Sequence, residues 1–478
     1  MSMTSGIVRD ALAGKAKVIS STFDRDRRID FVSTDSLTVT AGDLFVAIKG
    51  EVFDGHDFIA SAVEKGCRSV LCEKYPAGVI IEGVDIYLVE NSLDSFRILA
   101  SFWRELIDAK IIAVAGSVGK TTTKDLLHAI LSGKWKRVLK TKGSQNGFLG
   151  IPMTLCEAQL DTDVAVIEVG IDAPGAMLKH IEVVKPDISI VTAISEEHLE
   201  WLKDMKTIAY EENMILLETA QAGGISIINL DDEWISPVFD RIQSETKVGF
   251  TLNSTRSGPN ILNGKYNVTN SSLVVCGLGL PNPVEVSVPL PGEHNARNLL
   301  GAIAAALVVG VKPDEINSGL KHFKPSGGRS QWETSRTGLR VYCDFYNANP
   351  ASMKAAFDVM SQVAGNAEKQ SSIYFCLGDM KELGPDEERL HRELAVPILK
   401  MSSLNAKRAL NILLIGSRMQ WLQDELVKQK FSGSLLLYQD LEMLTQGIKS
   451  KVRSDDLVLL KGSHSMQLHK VWDVLKDC

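Results

Sequence analysis

The chain has 478 residues, enough for two to four domains at ~100–200 residues each. Hydrophobic residues at 45% and charged residues at 23% exclude a disordered chain, and a net charge of −7 argues against a nucleic-acid binder, since phosphate contacts need a basic surface. Seven cysteines, an odd count without a CxxC pair, read as reduced thiols. The N-terminus lacks the apolar core of a signal peptide, and the most apolar run, Ala302 to Val311, is well short of the ~20 residues that cross a bilayer, so a cytoplasmic protein without a membrane partner is expected.

Three blocks follow in chain order: residues 1–108, 109–324 and 325–478. The first alternates strand-like pieces (LFVAIKG, SVLCE, IYLVE) with the helical HDFIASAVEKG and closes on the amphipathic LDSFRILASFWRELI. The second opens on IIAVAG, a buried-strand pattern leading straight into a glycine loop. It continues with VAVIEVG, ISIVTAI and GISIINL, all-apolar runs of the kind a parallel sheet covered on both faces requires. Residues 258–292 are rich in turn residues and alternation, which predicts a small antiparallel elaboration, and HNARNLLGAIAAALVVG predicts the closing helix. FKPSGGR, residues 323–329, reads as a linker. The third block repeats the strand–helix rhythm with RVYCDFY, SIYFCLG, ILLIG, LLLY and DLVLLKG. The expected fold class is α/β in three domains: a central, mostly parallel P-loop sheet, an N-terminal α/β substrate domain and a C-terminal Rossmann-like domain.

Gly116-Ser117-Val118-Gly119-Lys120-Thr121 matches GxxGK[ST], the core of a P-loop, in strand–loop–helix context. Glycines let backbone N–H groups turn onto phosphate oxygens, and the start of the helix adds a positive dipole end. Lys120 reaches terminal phosphates, and the Thr121 hydroxyl suits magnesium. A tight glycine turn with an incidental lysine is the bland alternative, disfavoured by placement after IIAVAG. The motif implies a nucleoside triphosphate without choosing between switch, motor, kinase and ligase. Glu168, inside VIEVG, is costly there unless paired or bound to metal. His198, after ISIVTAISEE, is by itself more often structural. All three converge if they sit at the carboxyl edge of one parallel sheet.

GSVGKTTTK, including Thr122, resembles the ATP loop of the Mur ligases, the amide-forming enzymes of peptidoglycan precursor synthesis. The resemblance extends over nearly the whole chain: STDSLTVTAGDLFVAIKGEVFDGHDFI, GEHNARN, DFYNANPASMKAA, LGDMKELGPDEERLH and LLKGSHSM. It implies ATP and magnesium as cofactors, and an acyl phosphate attacked by an amine. It also implies small-molecule partners, a UDP-sugar peptide and a D-alanyl-D-alanine-like dipeptide, for a monomeric chain. By the same resemblance Lys120, Glu168 and His198 are expected to be catalytic and Thr121, Glu168 and His198 to hold metal; Glu212 is expected in both roles on a separate ground, its place where family members carry a lysine. Asn295, Asn298, Arg329, Asp344, Tyr346 and Asn347 would meet nucleotide. Ser33, Asp35, Ser36, Lys49, Asp54, Gly55, His56 and Asn146 would meet the substrate, and Lys461 and Ser463 the incoming dipeptide.

Several positions depart from the family pattern, among them the residue after Thr192, where an asparagine is common. Counting from His198-Leu199-Glu200, the lysine that family members carbamylate is Glu212. Glu212 shares a helical face with Ile208, Ala209, Ile215 and Leu216, and an acid on an apolar stripe needs a partner. Its carboxylate is expected to replace the carbamate; a register off by one would make Glu211 the relevant residue. Leu37 and His464 stand where arginine is usual, and Gly147-Phe148 follow Asn146 in a segment normally richer in asparagine and acid. These changes leave open a relative joining a different carboxylate and amine, or a P-loop regulator that ligates nothing.

Overall fold

A computed structural model describes residues 3–20, 22–74, 82–365, 371–404 and 408–477. It is a three-domain α/β molecule built on three sheets. In the first, strand Asp85–Val89 pairs antiparallel with Ala16–Ile19 on one side and parallel with Ser69–Cys72 on the other, and Leu44–Val46 and Val32–Ser33 complete it in parallel. The segment Ala16–Ile19, only partly buried, lacks the apolar run that marks the other strands.

The central sheet is parallel through Val138–Lys140, Val164–Glu168, Lys110–Ala115, Ile188–Val191, Ile225–Asn229, Lys247–Thr251 and Ile261–Asn267, in that spatial order. Its inner strands carry apolar side chains on both faces because helices cover both, so Ile111 through Ala115 are wholly buried. The expected antiparallel elaboration forms from Ile261–Asn267, Ser272–Gly277 and Val284–Ser287. It continues the central sheet, since its first strand pairs parallel with Lys247–Thr251. Helix Glu293–Val308 presents a run of alanines and Gly301, small enough to lie close on the sheet, where Gly301 faces the Phe250 ring.

Helix Met205–Gln221 starts where the Asp204 carboxylate accepts the Thr207 N–H at 2.8 Å. It buries Ile208, Ile215 and Leu216, and this face carries Glu212 into the core.

The third sheet runs Gln331–Thr334, Arg340–Cys343, Leu457–Lys461, Ile373–Gly378, Leu410–Ile415 and Ser434–Tyr438, parallel except at the first pair. The linker before it is tied down twice: the Ser326 hydroxyl donates to Asp125 Oδ2 at 2.6 Å, and Arg329 Nη2 donates to Ser144 Oγ at 2.6 Å. Between these ties lie Gly327, with open space around it, and Gly328, whose φ of +70° suits glycine. Among the described residues no helix is long and apolar enough to cross a membrane.

Candidate active site

The loop after strand Lys110–Ala115 is shaped from the neighbouring strand end. Ser117 N–H donates to Ala193 O at 2.7 Å, and the Thr192 hydroxyl, near both loop carbonyls, lies 2.6 Å from Val118 O and 3.1 Å from Ala115 O. Gly116 has φ +117°, and a Cβ there would lie 2.4 Å from Thr192 Oγ1 and 2.9 Å from Thr192 N. Gly119, φ +90°, leads into helix Lys120–Ser132, and a Cβ there would meet Asn298 Oδ1 at 2.5 Å. Gly116→Ala is therefore expected to distort the loop and cost about 1–3 kcal/mol of stability. Calorimetric titration with ATP should show weakened binding, and the thermal midpoint should fall; wild-type values in both would exclude a conformational role for this glycine.

Charge is concentrated behind the loop. Thr121 Oγ1 donates to Glu168 Oε1 at 3.0 Å, Asn146 Nδ2 donates to the same oxygen at 2.8 Å, and Lys124 Nζ lies 3.2 Å from Glu168 Oε2. The glutamate expected to be costly inside VIEVG is thus paired and only 1% exposed. Lys120 bends back, donating to Gly116 O and Ser117 O, with its ammonium 3.6 Å from Glu197 Oε1. Burial disfavours this ammonium, yet Glu197, Glu212 and Glu168 together hold its pKa above the ordinary lysine value.

Glu212 is fully buried, and its Oε2 accepts the Gly116 N–H at 2.8 Å, so it touches the phosphate loop directly. Glu211 faces away and accepts the Gly175 N–H at 2.7 Å, so of the two neighbouring acids it is Glu212 that meets the phosphate loop. Burial, reinforced by repulsion from Glu197, pushes the Glu212 carboxyl up to about 7. The buried Oε1 atoms of Glu212 and Glu197 have no hydrogen-bond partner. Glu168, Glu197 and Glu212, all buried, thus stand around Lys120 and Lys124, with those two unpartnered atoms among their oxygens. Among the described residues, however, no three acidic, histidine or cysteine side chains already form a metal cage.

Across a cleft of about 1180 Å³ stands the third domain. The Arg329 guanidinium lies 3.7 Å over the Tyr346 ring. Asp344 accepts the Ser330 N–H at 3.0 Å through Oδ1 and pairs with Lys461 Nζ at 2.6 Å through Oδ2. Lys461 also donates to Asn347 O and is 1% exposed, so this lysine is engaged inside the cleft wall. Asn295 and Asn298 line the same cleft with Thr122. Asn295 Nδ2 donates to Pro291 O at 2.7 Å. His294, missed in the sequence, lines it as well; burial pushes its pKa down to about 4, leaving a neutral ring.

Other expected site residues are placed differently. His198 lines the same cleft as Thr121 and Glu168, but its Nδ1 pairs with Glu382 Oε2 of the third domain at 2.6 Å. Burial lowers its pKa, but the Glu382 carboxylate wins and holds it above the ordinary histidine value. Ser463 Oγ accepts the Lys381 N–H at 3.0 Å and is buried. In the first domain, Ser33, Asp35 and Ser36 belong to a local turn in which Asp35 Oδ1 accepts the Leu37 N–H at 2.8 Å. Asp54 lies 2.5 Å from His56 Nδ1, while His56 Nε2 accepts the Glu73 N–H at 2.9 Å. Both ring nitrogens of this buried histidine are thereby used internally. Gly55 lies against Ile48, and Lys49 bridges to Asp54 in the backbone. None of these first-domain residues lines the cleft.

Comparison with known proteins agrees with this architecture. Residues 28–89 match the Mur ligase family catalytic domain, 114–306 the Mur ligase middle domain, and 328–464 the Mur ligase glutamate ligase domain. A Bacillus subtilis protein described as UDP-N-acetylmuramoyl-tripeptide–D-alanyl-D-alanine ligase is 30% identical over 92% of each chain. The chain belongs to the Mur ligase family.

An Escherichia coli protein of the same description is 32% identical over 77% of this Mur ligase and 78% of its own length. MurF from Acinetobacter baumannii superposes with a TM-score of 0.83 at 25% identity, covering 100% of this chain and 99% of that one. MurF from Thermotoga maritima, solved in complex with ADP, has the same fold at a TM-score of 0.76 and 22% identity, covering 94% of this chain and 97% of that one. Sequence reasoning about this Mur ligase missed Glu197, Lys124 and Glu382. Glu197, next to His198 in an acidic pair, carried a weak signal; Lys124 falls one turn after Lys120 on the same helix face and could have been found. Glu382 could not, because only tertiary structure brings it to His198.

Proposed function

We propose that this Mur ligase joins D-alanyl-D-alanine to a UDP-N-acetylmuramoyl tripeptide at the cost of ATP, as a step of peptidoglycan precursor synthesis in the cytoplasm. The observation that carries the reading is the apposition of the phosphate loop, with Lys120 and its buried acids, to a third-domain wall presenting Arg329. Phosphorylating a carboxylate brings two anions together, so positive charge must converge on the transferred phosphoryl group. Lys120 moves off its own loop carbonyls onto the phosphates, and Arg329, stacked on Tyr346, approaches from the other side. The amine of the dipeptide then attacks the acyl phosphate, expelling phosphate and leaving an amide.

Thr121, Glu168 and Glu212 are the residues that would hold magnesium, with the unpartnered Glu212 Oε1 as the available oxygen. Magnesium there supplies charge neutralisation to the phosphates. The two-walled cleft excludes water from the activated carboxylate. With domain limits of 1–108, 109–324 and 325–478, the first domain would hold the UDP-sugar through Ser33, Asp35, Ser36 and the 49–56 segment, as the family resemblance implies.

A second reading, a ligase for a different carboxylate and amine, is favoured by Leu37, 81% exposed where an arginine would serve a nucleotide-sugar. ADP release measured against a panel of UDP-muramoyl peptides and dipeptides, with product mass as readout, separates the two. Amide formation from the tripeptide and D-alanyl-D-alanine is expected. Product from another pair alone would favour the second reading, and ADP release independent of any acceptor would defeat both.

A further inference from the structure

One loop of the third domain rests on the segment that follows strand Ile188–Val191, beside the phosphate loop. Residues 379–384 follow strand Ile373–Gly378 and are anchored within their own domain. Asp379 Oδ1 accepts the Arg418 and Met419 N–H groups at 3.1 Å each, Met380 N–H donates to His391 Nε2 at 3.1 Å, and Lys381 N–H donates to Ser463 Oγ at 3.0 Å. The tip of this loop meets the central domain. Glu382 Oε2 lies 2.6 Å from His198 Nδ1, and a Cβ at Gly384 would stand 3.0 Å from Glu200 N. Both residues of the pair hold left-handed backbone, φ +49° at His198 and +63° at Glu382, which non-glycine residues adopt only when their surroundings impose it. A second contact grips the same segment: Asn349 Nδ2 donates to Ser195 Oγ at 3.1 Å, and both residues are buried.

The gripped segment, residues 195–200, carries Glu197, whose carboxylate faces Lys120. On its far side the loop of Glu382 is bonded to Ser463, two residues after Lys461 of the cleft wall. A continuous path of contacts therefore runs from Ser463 through Lys381 and Glu382 to His198 and the phosphate loop. We propose that Glu382 is a positioning residue that, through His198, couples seating of the third domain on its amine substrate to alignment of the phosphate site. This rests on the ligase reading above. Glu382 is itself half-exposed, so losing its side chain removes the coupling without unfolding the chain.

The test compares wild type with Glu382→Ala and Glu382→Gln, the latter keeping an oxygen that can accept from His198. Two readouts are taken: hydrogen exchange of the peptide spanning residues 195–202, without substrates, and the ratio of ADP released to amide formed, with kcat and KM for D-alanyl-D-alanine. Glu382→Ala is expected to speed exchange in that peptide, raise the ratio above that of wild type, and raise the dipeptide KM roughly tenfold more than it lowers kcat. Glu382→Gln is expected to recover most of each effect, and the thermal midpoint to stay at the wild-type value in both. Unchanged exchange would overturn the proposal, as would faster exchange with wild-type coupling and KM, which marks a contact of structural value only. Wild-type protein that forms no amide counts against the ligase reading, and exchange in the 195–202 peptide then decides the positioning claim by itself.

Discussion

Lys120→Met is expected to lower ATP-dependent amide formation by roughly 10³-fold, about 4 kcal/mol of transition-state stabilisation, while the protein stays folded. The lysine is the mobile positive charge of the loop: it rests on Gly116 O and Ser117 O and faces Glu197. Methionine keeps most of the side-chain volume and removes the charge meant for the phosphoryl group. The substitution also strands Glu197 and Glu212, both buried, without their nearest cation. Their pKa values should climb further, so each is satisfied by taking a proton rather than by unfolding. Steady-state ADP release and circular dichroism together check this. Turnover within tenfold of wild type in a folded Lys120→Met protein would remove Lys120 from the mechanism.

Glu212 is the second site of large expected effect. Its carboxylate already touches Gly116 N–H and directs a free oxygen into the buried charge cluster, as a carbamylated lysine would. Glu212→Gln should reduce magnesium-dependent turnover roughly 10²-fold. Glu212→Lys should fall as far without bicarbonate and recover with it. Full activity of Glu212→Lys with or without bicarbonate would show that this carboxylate is dispensable.

A pH signature follows as well. Burial raises the folded-state pKa of Glu212 from 4.5 to about 7, so between these values the folded, ligand-free chain holds a proton that the unfolded chain has released. Stability is then lost as pH rises through that window, because the native state binds more protons. Thermal scans of the ligand-free protein should show a midpoint falling from about pH 5 to pH 7.5, with part of that slope missing in Glu212→Gln. Equal slopes in the two proteins would contradict the buried-acid assignment.

Much of this was legible in the sequence where chemistry and local pattern coincide. IIAVAG followed by GSVGKT can be little else than a buried strand opening onto a phosphate loop, and the apolar runs of the second and third blocks form parallel strands because helices cover both faces. The helical spacing around Glu212 foretold its burial. The short edge strands Ala16–Ile19, Val138–Lys140 and Gln331–Thr334 were not legible, since an edge strand half in solvent needs no apolar run. Histidines were the hardest to read. His56 and His198 both lie in motif-like segments, yet both ring nitrogens of the first are taken by Asp54 and Glu73, and the second pairs through Nδ1 with Glu382, a partner that spacing along the chain does not reveal.

The doubly tied linker sets how the molecule can open. Only three Cα–Cα steps separate the anchors at Ser326 and Arg329, a reach of at most roughly 10 Å even when fully extended. While the Ser326 anchor holds, the third domain cannot slide away from the phosphate loop, and release of the Arg329 tie would let it swing about Gly327 and Gly328. The domain then works as a lever with its fulcrum beside the phosphates. Arg329, next to that pivot along the chain, moves little in such a swing, whereas the Glu382 loop that rests on His198, farther along the third domain, moves more.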